Sequence, residues 1–170
     1  MTLPLRFMTA LVLALVVIGC RSGAATPSPG GVPTPDELCQ LLTPADWAAV
    51  GLTTAGPPTI DTDGPGSAYC VYGGTTGGAD SLELDVFATA SIADATLTLE
   101  TIKQSIPDLQ VVGVRGAQDA VINASIDDSF GVILVRAGRL ALTVTAPTSN
   151  SITDQLTALA TLVLERASGL

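Results

Sequence analysis

The N-terminal apolar segment, which ends in the residues Val17–Cys20, constrains most strongly what this chain can fold into. It runs from about Phe7 to Ile18, follows the positive charge of Arg6, and is too short to span a bilayer comfortably. A short apolar run between a positive charge and small residues is typical of a signal peptide. We therefore expect residues 1–19 to be removed and to contribute nothing to the folded domain.

The residues that lead into Cys20 resemble the bacterial lipobox. The resemblance implies that the Cys20 thiol is diacylglycerylated, that the chain is cut just before it, and that the new N-terminus is acylated. Two acyl chains hold a protein on a bilayer, whereas one chain gives only marginal binding. We expect the mature protein to be lipid-anchored at the cell membrane, on its extracytoplasmic face. The alternative is an N-terminal transmembrane helix with an incidental cysteine.

The segment after the anchor has the composition of a linker. Residues 20–35 are rich in Gly, Pro, Ser and Thr and offer nothing to bury, so we expect a flexible tether. Removal of residues 1–19 from the 170-residue chain leaves 151 residues. Residues 36–170 then match a single domain with one core.

The charge balance excludes one class of partner. The chain has 16 acidic and 7 basic residues, for a formal net charge of −9. Nucleic acid binding requires clustered Lys and Arg, but the basic residues of the domain are scattered singly. The acidity serves solubility outside the cytosol or, as an alternative, recruits a basic partner.

Cys39 and Cys70 remain once Cys20 is lipidated, and an even pair outside the cytosol favours a disulfide. The competing interpretation is a metal or redox pair. The chain has no CxxC spacing and no histidine, so a tetrahedral zinc site lacks its usual ligands. We predict a Cys39–Cys70 bridge, no metal site and no cofactor.

Hydrophobic periodicity predicts an α+β fold. Thr43-Pro44-Ala45-Asp46 begins a short N-terminal helix, Ser91 caps a middle helix, and Ile152, Leu156, Leu159 and Val163 form the buried stripe of a C-terminal helix. The strands are predicted at residues 67–72, 81–88, 109–114, 120–126, 130–136 and 140–146. We expect one antiparallel sheet of about five or six strands with the three helices packed against it.

Four motifs carry a resemblance to a known family. They are Leu38–Asp46, Cys70 with an aromatic residue two positions later, Gly113–Ala120, and the Arg136–Arg139 turn before the last helix. Together they resemble a family of actinobacterial, mycobacterial-type envelope lipoproteins whose domain has no known function. The resemblance implies an exported, disulfide-stapled, non-catalytic domain, and it supplies no ligand.

Catalytic arrangements are poorly represented in this chain. Without histidine, the Ser-His and Cys-His pairs that activate nucleophiles are unavailable, and Lys103 is not part of a Ser-x-x-Lys motif. Two carboxylate pairs remain as candidates: Glu83 with Asp85, on one face of a strand, and Asp127-Asp128, in an expected turn. We predict that the protein is not an enzyme.

Two functions from different classes remain. The first is an envelope interaction or sensor module that acts by contact with another protein. The second is a carrier whose apolar strands and last helix enclose a small or lipidic ligand. A ligand pocket lined by Val, Ile and Leu would favour the carrier, and a filled core would favour the contact module.

The anchor can be tested by labelling. Cys20→Ala is expected to abolish incorporation of an alkyne-tagged fatty acid and to leave residues 1–19 attached, because both steps need the thiol. In-gel fluorescence and intact mass measure the two effects, and Ser22→Ala is the control that should remain labelled and processed. Labelling that persists in Cys20→Ala would contradict the prediction.

Overall fold

The computed structural model describes residues 31–54, 56–73 and 81–170. Over these residues the chain forms four helices and seven strands. The helices are α1 (Pro35–Cys39), α2 (Pro44–Ala49), α3 (Ile92–Lys103) and α4 (Ile152–Ala167). The strands are β1 (Thr59–Asp61), β2 (Ser67–Val71), β3 (Glu83–Ala88), β4 (Gln110–Val111), β5 (Asp119–Ile126), β6 (Phe130–Ala137) and β7 (Leu140–Pro147).

The strands form one antiparallel sheet in the order β1-β2-β3-β7-β6-β5-β4. Two meanders, β1–β3 and β4–β7, join where β3 pairs with β7, and α3 connects them. The predicted α+β class with a single antiparallel sheet is confirmed. The strand count is seven rather than five or six, because β1 lies between α2 and β2, where the sequence predicts no strand. All three residues of β1 are exposed, so no alternation of apolar and polar residues marks it.

The N-terminal helical region also differs from the expectation. It contains α1 as well as the predicted α2, and Thr34 caps α1 by a capping box with Glu37. The predicted strand at residues 109–114 is only two residues long, since the chain turns at Gly116, whose φ is 89°. The other predicted strands and helices lie within a few residues of their observed bounds.

Local sequence explains where the longer elements begin and end. Thr43 donates its backbone N–H and its hydroxyl to the Asp46 carboxylate, both at 2.7 Å, and Pro44 occupies the first turn of α2. The Ser91 hydroxyl accepts from the Asp94 N–H at 3.1 Å and caps α3. Asp127 and Asp128 have φ of 49° and 57°, and Asp is one of the residues that tolerates this left-handed region in a hairpin turn.

The two faces of the sheet have different cores. The main core lies between the sheet and α4, where the predicted helix stripe is 0–4% exposed. A smaller core lies on the opposite face, where Leu99 of α3 packs with Val121, Val132 and Leu134. The sheet is therefore covered on both faces, and on one of them α3 lies over β6 and β7 and also reaches β5.

A matched pair of substitutions on α3 tests the smaller core. Leu99 is fully buried and Leu97 is 68% exposed. Leu99→Ala is expected to lower the free energy of unfolding by about 2–5 kcal/mol, because it leaves a cavity against the sheet. Leu97→Ala should change it by less than about 0.5 kcal/mol. Urea unfolding measures both, and equal losses would contradict this assignment of the two faces.

Candidate functional site

The cysteine pair links the start of the domain to the sheet. The Sγ atoms of Cys39, in α1, and Cys70, in β2, lie 2.00 Å apart, which is a disulfide bond. Both residues are at most 1% exposed, so this bridge has a structural environment rather than that of an accessible redox pair. The two cysteines are 31 positions apart in the sequence, and the bridge stabilises the fold by about 3–4 kcal/mol in the chain-entropy model. Cys20 lies outside the described residues, so its lipidation stays a prediction.

A buried aromatic pair also connects the start of the domain to the sheet. The Tyr72 hydroxyl donates to the carbonyl oxygens of Cys39 at 2.6 Å and Leu42 at 3.0 Å. Its ring lies 5.2 Å from that of Trp47, centroid to centroid, and Trp47 is fully buried. Burial raises the pKa of Tyr72, and the nearby Asp46 charge adds to the rise. These aromatics are core residues where α2 meets the end of β2.

An ion pair joins the two ends of the domain. Arg166 of α4 donates to both carboxylate oxygens of Asp46, at 2.6 and 2.9 Å, and to the Leu41 carbonyl at 2.8 Å. The hydrogen bond from Arg166, with those from Thr43, lowers the pKa of Asp46 to about 2 against the opposing effect of burial. The arrangement holds α2 against α4 and leaves the Asp46 carboxylate committed to structure.

The first predicted carboxylate pair lies on the sheet face opposite α4. Leu84 and Val86 of β3 are fully buried in the main core, so Glu83 and Asp85 project from the other face. In the register, Asp85 lies between Tyr69 of β2 and Thr143 of β7. We call the four residues Tyr69, Glu83, Asp85 and Thr143 the acidic face. Sequence reasoning placed the two carboxylates on one face but did not identify the neighbours, because these depend on strand pairing.

The environment of the acidic face disfavours the ionised forms of Asp85 and Tyr69. Burial, together with the charges of Asp63 and Glu83, raises the pKa of Asp85 to about 7. Burial also raises the pKa of Tyr69, with a contribution from its hydrogen bond to Glu83. The Ser81 hydroxyl donates to Glu83 at 2.7 Å. The hydroxyl oxygen of Thr143 is buried and has no hydrogen-bond partner among the described residues.

The second predicted carboxylate pair is a hairpin turn. Asp127 and Asp128 are exposed and connect β5 to β6, and the Ser125 hydroxyl donates to Asp128 at 3.2 Å. Lys103 donates to Glu100 at 2.9 Å and to Asp119 at 2.6 Å, so its ammonium group is engaged in ion pairs. Within the described ranges, no group of three or more His, Cys, Asp or Glu side chains is placed to hold a metal ion.

Two surface grooves were not foreseen from the sequence. A groove of about 490 Å³ lies between α2 and α4, with Ala49, Ala158 and Leu162 among its lining residues. Thr157 also lines it, and no atom in the described part of the chain forms a hydrogen bond with its buried hydroxyl oxygen. A second groove of about 340 Å³ lies beside β4 and β5. Both depend on how distant segments pack, which leaves no local signal in the sequence.

Comparison with known proteins assigns this chain to no family. No protein-family model and no curated protein matches this chain. The resemblance to envelope lipoproteins therefore rests on the short motifs alone. Among the helices of the described residues, none combines the length and the apolar character that crossing a membrane requires.

The raised pKa of Asp85 gives a pH dependence with a definite sign. Because the folded-state pKa of about 7 exceeds the unfolded value of 3.8, the folded state holds the proton more tightly. The free energy of unfolding should therefore fall as pH rises from about 4 to about 7. Asp85→Asn is expected to be more stable than the wild type by about 1–2 kcal/mol at pH 8, allowing for partial exposure. The difference should vanish near pH 4.

Urea unfolding at pH 4, 6 and 8 measures this dependence. Asp127→Asn makes the same chemical change in the exposed turn and should leave the wild-type pH dependence intact. An Asp85→Asn variant that is less stable than the wild type at pH 8 would contradict the expected environment of this carboxyl group.

Proposed function

We propose that the protein is a membrane-anchored bacterial envelope lipoprotein, in which a non-catalytic domain acts as an interaction or sensor module. Residues 1–19 direct export, and Cys20 carries the lipid on the extracytoplasmic face. The domain then works by contact with another envelope protein. The sequence supports the location, and the packing of the domain supports the mode of action.

The packing of the main core is the observation that carries the contact function. A carrier of the predicted kind needs a cavity between the apolar strands and the last helix. The side chains at that interface instead fill it: Ile133, Val135, Leu142, Val144, Leu156, Leu159 and Val163 are all at most 1% exposed. A protein interior at ordinary packing density leaves no room for a lipid chain. Recognition then has to use the surface of the domain.

The groove between α2 and α4 favours a second candidate function. Its volume of about 490 Å³ is within the range of small-ligand sites, and its lining mixes apolar residues with the Thr157 hydroxyl. A small amphiphile could lie there between Asp154 and the ion pair of Arg115 with Glu165. The groove is open and shallow, so such a ligand would be bound at the surface and not enclosed.

Native mass spectrometry separates the two functions. The full-length protein, extracted in detergent from an exporting host, is measured in native and denaturing conditions together with Ala158→Trp, which fills the groove. Ala93→Trp, on the exposed surface of α3, is the control. For each of the three proteins, we expect the native and the denaturing spectrum to give the same mass, which is that of the chain with its covalent lipid.

A discrete extra mass would overturn the contact function. The decisive pattern is a mass that is present in the native spectra of the wild type and of Ala93→Trp, but absent from that of Ala158→Trp. It would assign the protein a ligand in the groove and identify that ligand's size.

A further inference from the structure

Two arginines have no ion pair within the described part of the chain. Lys103, Arg115 and Arg166 each bind a carboxylate there, whereas Arg136 and Arg139 bind none. The Nε atom of Arg136 is buried and has no hydrogen-bond acceptor among the described residues. A buried N–H without an acceptor costs free energy, so an acceptor from outside the domain would be favoured at this position.

Both arginines lie beside the β6–β7 turn, at one end of the sheet. Arg136 is in the last two residues of β6, and Arg139 immediately precedes β7. The Arg139 carbonyl oxygen accepts from the Thr89 N–H at 2.9 Å and from the Thr89 hydroxyl at 2.8 Å. These bonds hold the turn against the end of β3, and the Arg139 side chain is exposed there.

The N-terminal segment enters the domain at this same end of the sheet. Val32 packs against Gly66, which precedes β2, and its Cγ1 lies 3.0 Å from the place that a Cβ on Gly66 would occupy. The Gly66 carbonyl oxygen accepts from the Ala88 N–H, at the end of β3, at 2.7 Å. Only β3 separates β2 from β7. Neighbouring strands lie about 4.8 Å apart, so the point of entry is about 10 Å from the turn that holds Arg139.

The length of the expected tether determines which part of the domain can reach the membrane. Cys20 precedes Val32 by 12 positions in the sequence. A flexible chain of about 12 residues has a root-mean-square span of about 17–21 Å. The eight-residue strands of the sheet are about 27 Å long, so the opposite end lies about that much farther from the anchor. A tether of this length brings the end with Val32 and Arg139 onto the bilayer most readily.

Exposed apolar side chains accompany the two arginines. Val32 is 63% exposed, and Ile92, which follows the end of β3 by four positions, is 58% exposed. We call Val32, Ile92, Arg136 and Arg139 the entry end. Arginine binds phosphate oxygens through paired N–H groups, and apolar side chains beside it enter the boundary between headgroups and acyl chains. The entry end therefore matches the chemistry of anionic phospholipids.

We propose that the entry end docks on the bilayer that holds the anchor, with the guanidinium groups of Arg136 and Arg139 on lipid phosphates. This inference rests on the proposed lipid anchor at Cys20. It adds an orientation, in which the opposite end of the sheet faces away from the membrane and is left for a protein partner. Asp63 and Asp94 also lie near this end and oppose an anionic surface, so we expect the domain to alternate between docked and free states.

Tryptophan quenching tests the proposal on the lipidated protein. Ala90→Trp places a reporter in the exposed connection between β3 and α3, at the entry end, and Asn150→Trp places one in the exposed connection between β7 and α4, at the opposite end. Each protein is added from detergent to vesicles of phosphatidylcholine with brominated acyl chains, with or without about 30% phosphatidylglycerol. The signal of the parent protein, which has only Trp47, is subtracted.

We expect phosphatidylglycerol to increase the quenching of the Ala90→Trp reporter at least about twofold, and 500 mM NaCl to reverse the increase. The Asn150→Trp reporter should stay at the background level in both kinds of vesicle. Equal quenching of the two reporters, or quenching of Ala90→Trp that does not depend on phosphatidylglycerol, would overturn the proposal.

Two substitutions with the same charge change identify the contact. Arg139→Gln removes an arginine without an ion pair, and Arg115→Gln removes one that is paired with Glu165 in the loop between β4 and β5. An arginine close to an anionic membrane shifts binding by about fivefold. In the Ala90→Trp protein, we expect Arg139→Gln to lower the ratio of docked to free domain about fivefold, and Arg115→Gln to change it by less than about twofold.

Equal losses from the two arginine substitutions would contradict the proposal, because docking would then follow net charge alone. Should a reporter variant fail to fold, hydrogen exchange of the wild type on the same vesicles gives the answer. Protection confined to peptides from the β6–β7 turn supports the orientation, and equal or greater protection of the β5–β6 turn refutes it. An intact mass without a lipid refutes the anchor itself, so the two failures are distinct.

Discussion

The pairing of β3 with β7 is the interaction on which the rest of the structure depends. It joins the meander that carries the disulfide to the meander that precedes α4, and its register runs over six residue pairs from Glu83–Thr145 to Ala88–Leu140. Because strand side chains alternate, this register sends Leu84 and Val86 into the main core and Glu83 and Asp85 to the other face. A slip of one residue would bury both carboxylates beside α4, at a cost of several kcal/mol for each ion. The alternation therefore fixes the register as firmly as the hydrogen bonds do.

The position of α3 follows from its role as the connection between the meanders. The chain leaves β3 near the middle of the sheet and must return to form β4 at one edge. The helix crosses the face above β6 and β7 on this path, where Val132 and Leu134 supply an apolar surface for Leu99. A helix of 12 residues is about 18 Å long and about 10 Å wide, so it covers only part of a seven-stranded sheet. The acidic face lies on the part of the sheet that α3 does not cover.

Sequence reasoning reached the elements that have a strong local signal. The alternation in β3, the stripe of α4 and the capping residues Thr43 and Ser91 predict structure because each burial or hydrogen bond involves residues a few positions apart. β1 and α1 carry too few residues to generate a period. The neighbours of Asp85 and the groove beside Ala158 depend on contacts between distant segments, so no local pattern marks them. The sequence therefore predicts the chemistry of the side chains in a candidate site. It does not predict which side chains from distant segments lie next to them.

Ionisation of Asp85 opposes the stability of the fold. An isolated domain is more stable when this carboxyl group is neutral, because ionisation places a charge in a half-buried position near Asp63 and Glu83. An asparagine at this position carries no charge and would remove this cost, so the aspartate is what makes the stability of the domain depend on pH between about 4 and 7.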